Sequence, residues 1–245
     1  MQGKMGCDGE EKKNDDVHNV RYDCCVYRSH TFRWQVMKNL KNLTEKIMCR
    51  LEEKDRVREE ALKLSRNIIR QCSGAIQAMH RGEKTDLSDI KNETKKLIKT
   101  VKNHPDLYYS GFVENAFQEV CETGIVTSVL GNKNLPDPDK LGVTYTSYLL
   151  GMGDAVGEFR RCALDALIDG DIEKTKWCID VMERLYSALM KFDLPAGIVS
   201  IRKKRDVARS LIEKTRGELV IAMMEKGLEK KIDKLAKKYR KLFMR

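Results

Sequence analysis

The segment YTSYLLGMGDAVGEFRRCALDALIDGD, residues 145–171, decides the fold. Its apolar residues recur at spacings of three and four, which predicts a long helix over 145–170 with one face in a core. Within this apolar context Asp154 and Glu158 stand four residues apart, so both carboxylates lie on one face of the helix. The same segment holds Gly151, Gly153 and Gly157. Because each glycine costs a helix about 1 kcal/mol relative to alanine, we expect these three to allow close approach of a neighbouring helix or open access to the acids.

A second pair of acids lies upstream, in GFVENAFQEVCETGIVTSVL, where Glu119 and Glu122 stand three residues apart on another predicted helix. If the two helices pack side by side, four carboxylates meet. Such groups raise one another's pKa unless a cation or solvent compensates their charge. Ligands that are oxygen alone indicate Mg²⁺ or Mn²⁺ rather than zinc. The alternative for each pair is a solvated helix face or, for the downstream pair, an ion pair with Arg160 or Arg161.

Composition and charge favour an all-helical protein with a polyanionic partner. The 245 residues are 41% hydrophobic and 34% charged, with only 7% aromatic residues and four prolines, which favours an all-helical protein over a β-rich one. The helical patterns along the chain, joined by short connections, predict a bundle of six or seven helices. The net charge of +10 suits a nucleic acid. There is no run of about 18 apolar residues and no apolar core of a secretion signal near the start. We therefore expect a cytoplasmic protein with no membrane partner.

The predicted layout is a disordered extension over 1–36 followed by a single all-α domain over 37–245. Its helices are predicted over 37–81, 86–104, 107–130, 145–170, 171–192 and 200–243. Near the end, a heptad-like stripe suits a partner helix and consists of Leu228, Ile232, Leu235, Tyr239 and Leu242. Residues 226–245 also hold nine Lys or Arg residues against two acids, so the C-terminal end is strongly basic.

Basic residues also cluster where the last predicted helix begins. They are Arg202, Lys203, Lys204, Arg205 and Arg209. Clustered after a loop and at the start of a helix, they suit contacts to the phosphates of a nucleic acid. The alternative is an ordinary soluble surface.

The histidines and cysteines do not form a recognisable site. His18, His30, His80 and His104 lie near chain or helix ends, and none is placed as a convincing general base. The eight cysteines include no C-x-x-C pair. Those on apolar helical positions are Cys72, Cys121, Cys162 and Cys178, which predicts reduced, buried thiols. A metal site built from Cys24 and Cys25 with two histidines is an alternative to a flexible N-terminal tail, although its spacing matches no standard motif.

The segment SYLLGMGDAVGEFRRCALDALIDGD resembles the central motif of the translin family, in particular its archaeal-type members and the branch of translin-associated factor X. EEALKLSRNIIRQCSGAIQAMHRGE is similar to the long first helix of that family, and FQEVCET to the segment that bears its glutamate pair. The resemblance covers residues 40–224. It implies an all-α subunit of about seven helices that binds single-stranded RNA or DNA and forms a homo-oligomer, an octamer or a similar closed shell.

The resemblance also implies an activity. The factor X branch is a magnesium-dependent endoribonuclease, and its catalytic and metal-binding acids fall on Glu119, Glu122, Asp154 and Glu158 of this sequence. Translin itself carries an incomplete set of acids, so the complete set favours the catalytic branch. The alternatives are a non-catalytic protein that binds single-stranded nucleic acid, and a helical scaffold whose heptad-like end docks a protein partner.

Overall fold

The computed structural model describes residues 37 and 39–243, apart from the side chains of 238 and 241–243. Its helices are α1 (Leu40–His80), α2 (Ser88–Val101), α3 (Pro105–Tyr108), α4 (Gly111–Leu130), α5 (Pro138–Leu141), α6 (Tyr145–Ile168), α7 (Ile172–Leu189) and α8 (Ile201–Phe243). The described residues contain no strand, so the all-α prediction is confirmed. The predicted disordered extension and the alternative Cys/His site lie outside the described residues.

Helix α6 is the centre of the bundle. It packs against α4, α7 and α8, and α7 also packs against α8. The start of α6 is capped by Thr144, whose hydroxyl accepts a hydrogen bond from the Ser147 backbone N–H, and α7 is capped by Asp171 in the same way. The core that these helices share includes Val156, Phe159, Met182, Leu185, Ala208 and Ile212.

A second core joins the later part of α1 to α2, α3 and α4. Its buried side chains include Ala61, Ile68, Leu97, Val101, Leu107, Phe117 and Val120. The end of α4 contributes Ile125 and Val126 to the first core instead. Helix α4 therefore connects the two cores, and Glu119 and Glu122 lie on it just before the first core begins.

The structure differs from the prediction where a single helix was expected over 107–130. Helix α3 ends at Tyr108, and α4 begins only after Ser110, whose backbone is extended with φ −74° and ψ 147°. The Ser110 hydroxyl donates to the Leu107 carbonyl at 2.5 Å, which ends the short helix. Ser-Gly at 110–111 is the local signal for this break, because serine favours the position just before a helix.

Helix α1 is one continuous helix of 41 residues, within the helix predicted over 37–81. The pattern of contacts within the chain defines two compact units, and the boundary between them falls within α1, between Leu51 and Glu52. In the first unit the large apolar side chains of α1 are exposed: Leu40, Leu43, Ile47, Met48 and Leu51.

The other sequence features take the environments that their patterns indicate. The four cysteines on apolar helical positions are free and buried. The heptad-like stripe of α8 is exposed at Leu228, Ile232, Leu235 and Tyr239. No helix among the described residues is apolar over enough of its length to cross a membrane.

Candidate active site

Helices α4 and α6 pack side by side, as a shared acid site requires. Gly151 permits this: a Cβ at that position would lie 2.5 Å from the Gln118 carbonyl oxygen and 2.9 Å from Cys121 Cβ, so any side chain would push α4 away. Gly157 is different, because a Cβ there would meet nothing within 4 Å. Both reasons expected for the glycines, close approach and open space, therefore occur on the same helix.

The packing of α4 on α6 brings the two pairs of acids together. We use the term acid centre for Glu119, Glu122, Asp154 and Glu158. A cavity of about 310 Å³ is lined by three of them and by residues of α1 and α6: Ser73, Ile76, Gln77, Glu119, Glu122, Glu158 and Arg161. Asp154 is not part of this lining, but its charge acts on both glutamates of α4. The four acids thus form one electrostatic group.

Burial and repulsion raise the pKa values of the two acids on α4. The Glu122 side chain is buried, and its pKa rises from 4.5 to about 8, first because of burial and then because of the charges of Glu119, Asp154 and Glu158. Burial, followed by the charges of Asp154 and Glu158, also raises the pKa of Glu119. Two carboxyls whose pKa values are raised beside a cavity mark a candidate functional site.

Asp154 is held by two neighbouring helices. Lys204 of α8 donates from Nζ to Asp154 Oδ1, and Gln118 of α4 donates from Nε2 to Asp154 Oδ2. Both carboxylate oxygens therefore have a protein partner. This arrangement differs from the solvated face and the arginine pair that stood as alternatives in the sequence.

Glu158 is held by a histidine that the sequence pattern did not indicate. His80, the last residue of α1, has Nε2 at 2.7 Å from Glu158 Oε2 and Nδ1 at 3.6 Å from Asp165 Oδ2. An ionised carboxylate only accepts hydrogen bonds, so the imidazole donates from Nε2. Arg160, an alternative partner from the sequence, instead binds Glu218 of α8 with two hydrogen bonds. The sequence predicted only that no histidine is a convincing general base, and it did not predict the contact of His80 with an acid of the site.

The donors of the acid centre suit a hard divalent cation, because all of them are carboxylate oxygens. Among residues 37 and 39–243, however, no group of three or more His, Cys, Asp or Glu side chains is arranged to hold a metal ion. The contacts of Asp154 and Glu158 offer a physical reason, since Lys204, Gln118 and His80 already use three of their oxygens. The donor chemistry fits Mg²⁺ or Mn²⁺, and binding requires these side chains to rearrange.

The predicted nucleic-acid contacts at the start of α8 divide into two groups. Arg202 and Lys203 are exposed. The others have protein partners: Lys204 binds Asp154, Arg205 donates to the Phe192 carbonyl oxygen at 3.2 Å, and Arg209 binds Glu213. Contact with a nucleic acid stays a prediction for all five, and Arg202 and Lys203 are the two that are free to make it without breaking one of these bonds.

Sequence reasoning missed three contacts of this site, those made by His80, Gln118 and Lys204. His80 lies on the same face of α1 as Ser73, Ile76 and Gln77, at spacings of three, four and seven, and those three residues line the cavity. The spacing is visible in the sequence, but only the structure shows that this face of α1 meets the acids. Nothing comparable marks Lys204, which reads as one member of a basic cluster.

Fold and site define the class of protein: an all-α bundle in which two central helices join four carboxyls beside a cavity. The model of the translin family matches residues 34–217. The chain belongs to the translin family. The matched residues include the whole acid centre, and they end before the exposed C-terminal part of α8.

Similar proteins agree with this assignment. An uncharacterized protein of Methanocaldococcus jannaschii is 32% identical over 176 residues, which is 69% of this chain and 78% of that protein. AfC3PO, solved in complex with duplex RNA, is 34% identical with a TM-score of 0.62, over 74% of this chain and 97% of its own. Apo-NeC3PO is 26% identical with a TM-score of 0.64, over 75% and 97%.

Proposed function

We propose that this protein binds RNA and cleaves single-stranded RNA by hydrolysis of phosphodiester bonds at the acid centre. One observation carries the proposal: α4 and α6 bring four carboxyls together, three of them lining a cavity, and burial followed by the charges of the other acids raises the pKa of Glu122 to about 8. Keeping such a group together is unfavourable unless it binds something positive. The duplex RNA in the structure of AfC3PO, a protein 34% identical to this one, supports nucleic acid as the partner.

The four acids Glu119, Glu122, Asp154 and Glu158 are the residues that would hold Mg²⁺ or Mn²⁺. A divalent ion there would polarise the scissile phosphate and lower the pKa of a water molecule. The chain itself contributes the cavity walls and the two helices that fix the carboxyls. His80 orients Glu158 through its 2.7 Å hydrogen bond, as partners of metal ligands generally do.

The start of α8 supplies positive charge to bring the strand to the site. Arg202 and Lys203 are exposed next to Lys204, which itself binds Asp154 of the acid centre. Contacts from such residues to phosphates attract RNA without reading its sequence. Substitution of both residues by Gln should weaken RNA binding and reduce its dependence on salt.

The proposed assembly is a homo-oligomer, an octamer or a similar closed shell. The exposed apolar side chains of α1, among them Leu43, Ile47 and Leu51, support an interface between copies. Light scattering tests the proposal directly, because an octamer has eight times the 28.3 kDa mass of one chain. A mass equal to one chain at all concentrations would exclude the shell.

The test of the activity uses substitutions that keep side-chain shape. Glu122→Gln and Glu158→Gln should each reduce cleavage of a labelled single strand in Mg²⁺ by about a hundredfold or more, since even outer partners of metal ligands are worth about 10- to 100-fold. Glu173→Gln, at an exposed position at the start of α7, is the matched control. Chelation of Mg²⁺ should abolish cleavage by the unsubstituted protein.

The same assay includes the labelled strand annealed to its complement. Cleavage of the duplex at the same rate as the single strand would contradict the proposed preference, while leaving the acid centre as the active site. Full activity in both the Glu122 and Glu158 variants would contradict the site itself.

A protein that binds nucleic acid without cleaving it is the second candidate. The contacts of Asp154 favour it, because Lys204 and Gln118 already bind one carboxylate oxygen each. Calorimetric titration with Mn²⁺ separates the two functions. The enzyme should give a binding heat that is lost in Glu122→Gln, whereas the binding protein should give none.

A further inference from the structure

Lys204 brings a positive charge into the acid centre, where Arg161 lines the cavity and His80 contacts Glu158. Its ammonium group donates to Asp154 Oδ1. Its charge also acts to lower the pKa values of Glu119 and Glu122, but burial and the charges of the other acids are stronger and raise both values. One lysine therefore interacts with three of the four acids, although it comes from a different helix and stands 50 residues beyond Asp154.

The backbone of α6 is shaped to receive this lysine. A Cβ on Gly153 would lie 3.0 Å from Lys204 Cβ and 3.3 Å from its Cγ, so the alkyl stem runs directly over the glycine. The buried residues Ile201 and Ala208 fix α8 on either side of Lys204. The position of the ammonium group is thus set by packing, whereas the neighbouring Arg202 and Lys203 are exposed.

The contact also completes the hydrogen bonding of Asp154. Gln118 donates to Oδ2 and Lys204 to Oδ1, so each oxygen already accepts a hydrogen bond, and the ammonium charge of Lys204 lies where a cation would bind. At Glu158, His80 binds Oε2, and within the described part of the chain no hydrogen bond is made to the other oxygen. Asp154 is therefore the acid whose use by a metal ion depends most directly on the movement of a protein group.

We propose that Lys204 is a built-in counterion that competes with a divalent cation for Asp154 and leaves that carboxylate when the cation binds. The inference rests on the proposed function of the acid centre. In the absence of a divalent ion, Lys204 partly offsets the repulsion among the four carboxyls. When Lys204 leaves Asp154, its ammonium group becomes free to pair with a phosphate oxygen of the RNA, which is negatively charged as the Asp154 carboxylate is.

The proposal predicts that removal of the lysine charge strengthens binding of the metal. In calorimetric titrations with MnCl₂, without RNA and at a pH above the pKa of Glu122, Lys204→Met should lower the Kd by about tenfold, because a positive charge within a few ångströms of the ion is removed. Lys204→Arg keeps the charge and should stay within about threefold of the unsubstituted protein. The control is Lys214→Met, an exposed lysine of the same helix, which should leave the Kd unchanged.

Three outcomes are distinguishable. Tighter Mn²⁺ binding in Lys204→Met alone supports the inference. Suppose instead that the unsubstituted protein binds Mn²⁺ and that Glu122→Gln abolishes this binding. Equal or weaker binding in Lys204→Met then overturns the inference and leaves the proposed metal site intact. No Mn²⁺ binding by any variant overturns both the inference and the metal-dependent function.

A second measurement does not depend on the metal. In the presence of chelator, Lys204→Met should lower Tm by about 2–4 °C relative to Lys214→Met, because the acids lose their counterion, and added MnCl₂ should more than restore it. If Lys204→Met does not fold, Lys204→Gln keeps a hydrogen-bond donor near Asp154 without the charge. An unchanged Tm in the folded variant, or no gain in Tm from MnCl₂, would contradict the proposed role.

Discussion

The acid centre and the end of α8 hold charge in opposite ways. In the acid centre, charged groups are partly or largely buried and most of them meet a specific partner: Lys204 and Gln118 hold Asp154, and His80 holds Glu158. In the tail, which we define as residues 223–243, all described side chains are exposed. The tail supplies much of the net charge of the chain, yet burial makes the few charges of the acid centre far more consequential. A count of charges therefore says less about function than their environment does.

The largest contrast should appear when an apolar side chain is truncated in each region. Phe159, next to Glu158, is 1% exposed, and its ring packs edge-on against Trp177 with centroids 6.1 Å apart. We expect Phe159→Ala to reduce the free energy of unfolding by about 3–5 kcal/mol, and Leu235→Ala in the tail, 54% exposed, to change it by less than about 0.5 kcal/mol. Urea unfolding measures both. A large loss in the tail variant would show that the stripe is covered in the assembled protein.

The next effect concerns pH. The pKa of Glu122 is raised to about 8 from 4.5, so between these values the folded protein binds more protons than the unfolded chain and its stability falls as pH rises. The unfavourable contribution is absent below pH 4.5, grows through the interval and is complete above pH 8. Its size is on the order of 3 kcal/mol when the shift is discounted for the remaining solvent.

Glu122→Gln tests this contribution, because the amide does not ionise. In the presence of chelator, the variant should gain stability relative to the unsubstituted protein as the pH is raised, and the slope between pH 5 and 8 should become flatter. Glu229→Gln in the tail provides the matched control and should leave the slope as it is. If stability depended on pH with the same slope in all three proteins, ionisation of Glu122 would not destabilise the fold.

A smaller effect is expected from two glycine substitutions. Gly151→Ala places a Cβ 2.5 Å from the Gln118 carbonyl oxygen and 3.0 Å from the Glu122 backbone nitrogen, so it should destabilise the fold by about 1–3 kcal/mol. In the tail, Gly227→Ala meets nothing within 4 Å and should stabilise the helix by up to about 1 kcal/mol. Thermal unfolding should therefore shift in opposite directions. A shift in the same direction for both would mean that α4 can move away from α6 without loss.

Sequence reasoning reached the parts of the site that depend on local spacing. The four-residue interval between Asp154 and Glu158 fixes both carboxylates on one helix face, and the glycines of α6 indicated a close neighbour. The partners could not be found in this way. His80 and Glu158 are 78 residues apart, and Gln118 and Asp154 are 36 apart, so these contacts depend on how α1 and α4 pack against α6.

The same limit explains the helix boundaries and Lys204. The break between α3 and α4 depends on one serine with an extended backbone, which a periodic pattern of apolar residues does not register. The side chain of Lys204 packs against Gly153 of α6, whereas the side chain of Lys203 is exposed. Composition placed all five basic residues at the start of α8 in a single group, whereas packing separates them.

The smallest expected effect comes from removing charge in the tail. Lys230, Lys234 and Lys237 are exposed on the tail, so their simultaneous replacement by Gln should change the free energy of unfolding by less than about 0.5 kcal/mol. Affinity for RNA should fall only a few-fold, and mainly at low salt, because salt screens the interactions of solvent-exposed charges. Binding curves at two salt concentrations measure this, with Arg202→Gln/Lys203→Gln for comparison. If the tail variant lost more affinity and more salt dependence than the variant at the start of α8, the tail would make the main phosphate contacts. The proposed contacts of Arg202 and Lys203 beside the acid centre would then be contradicted.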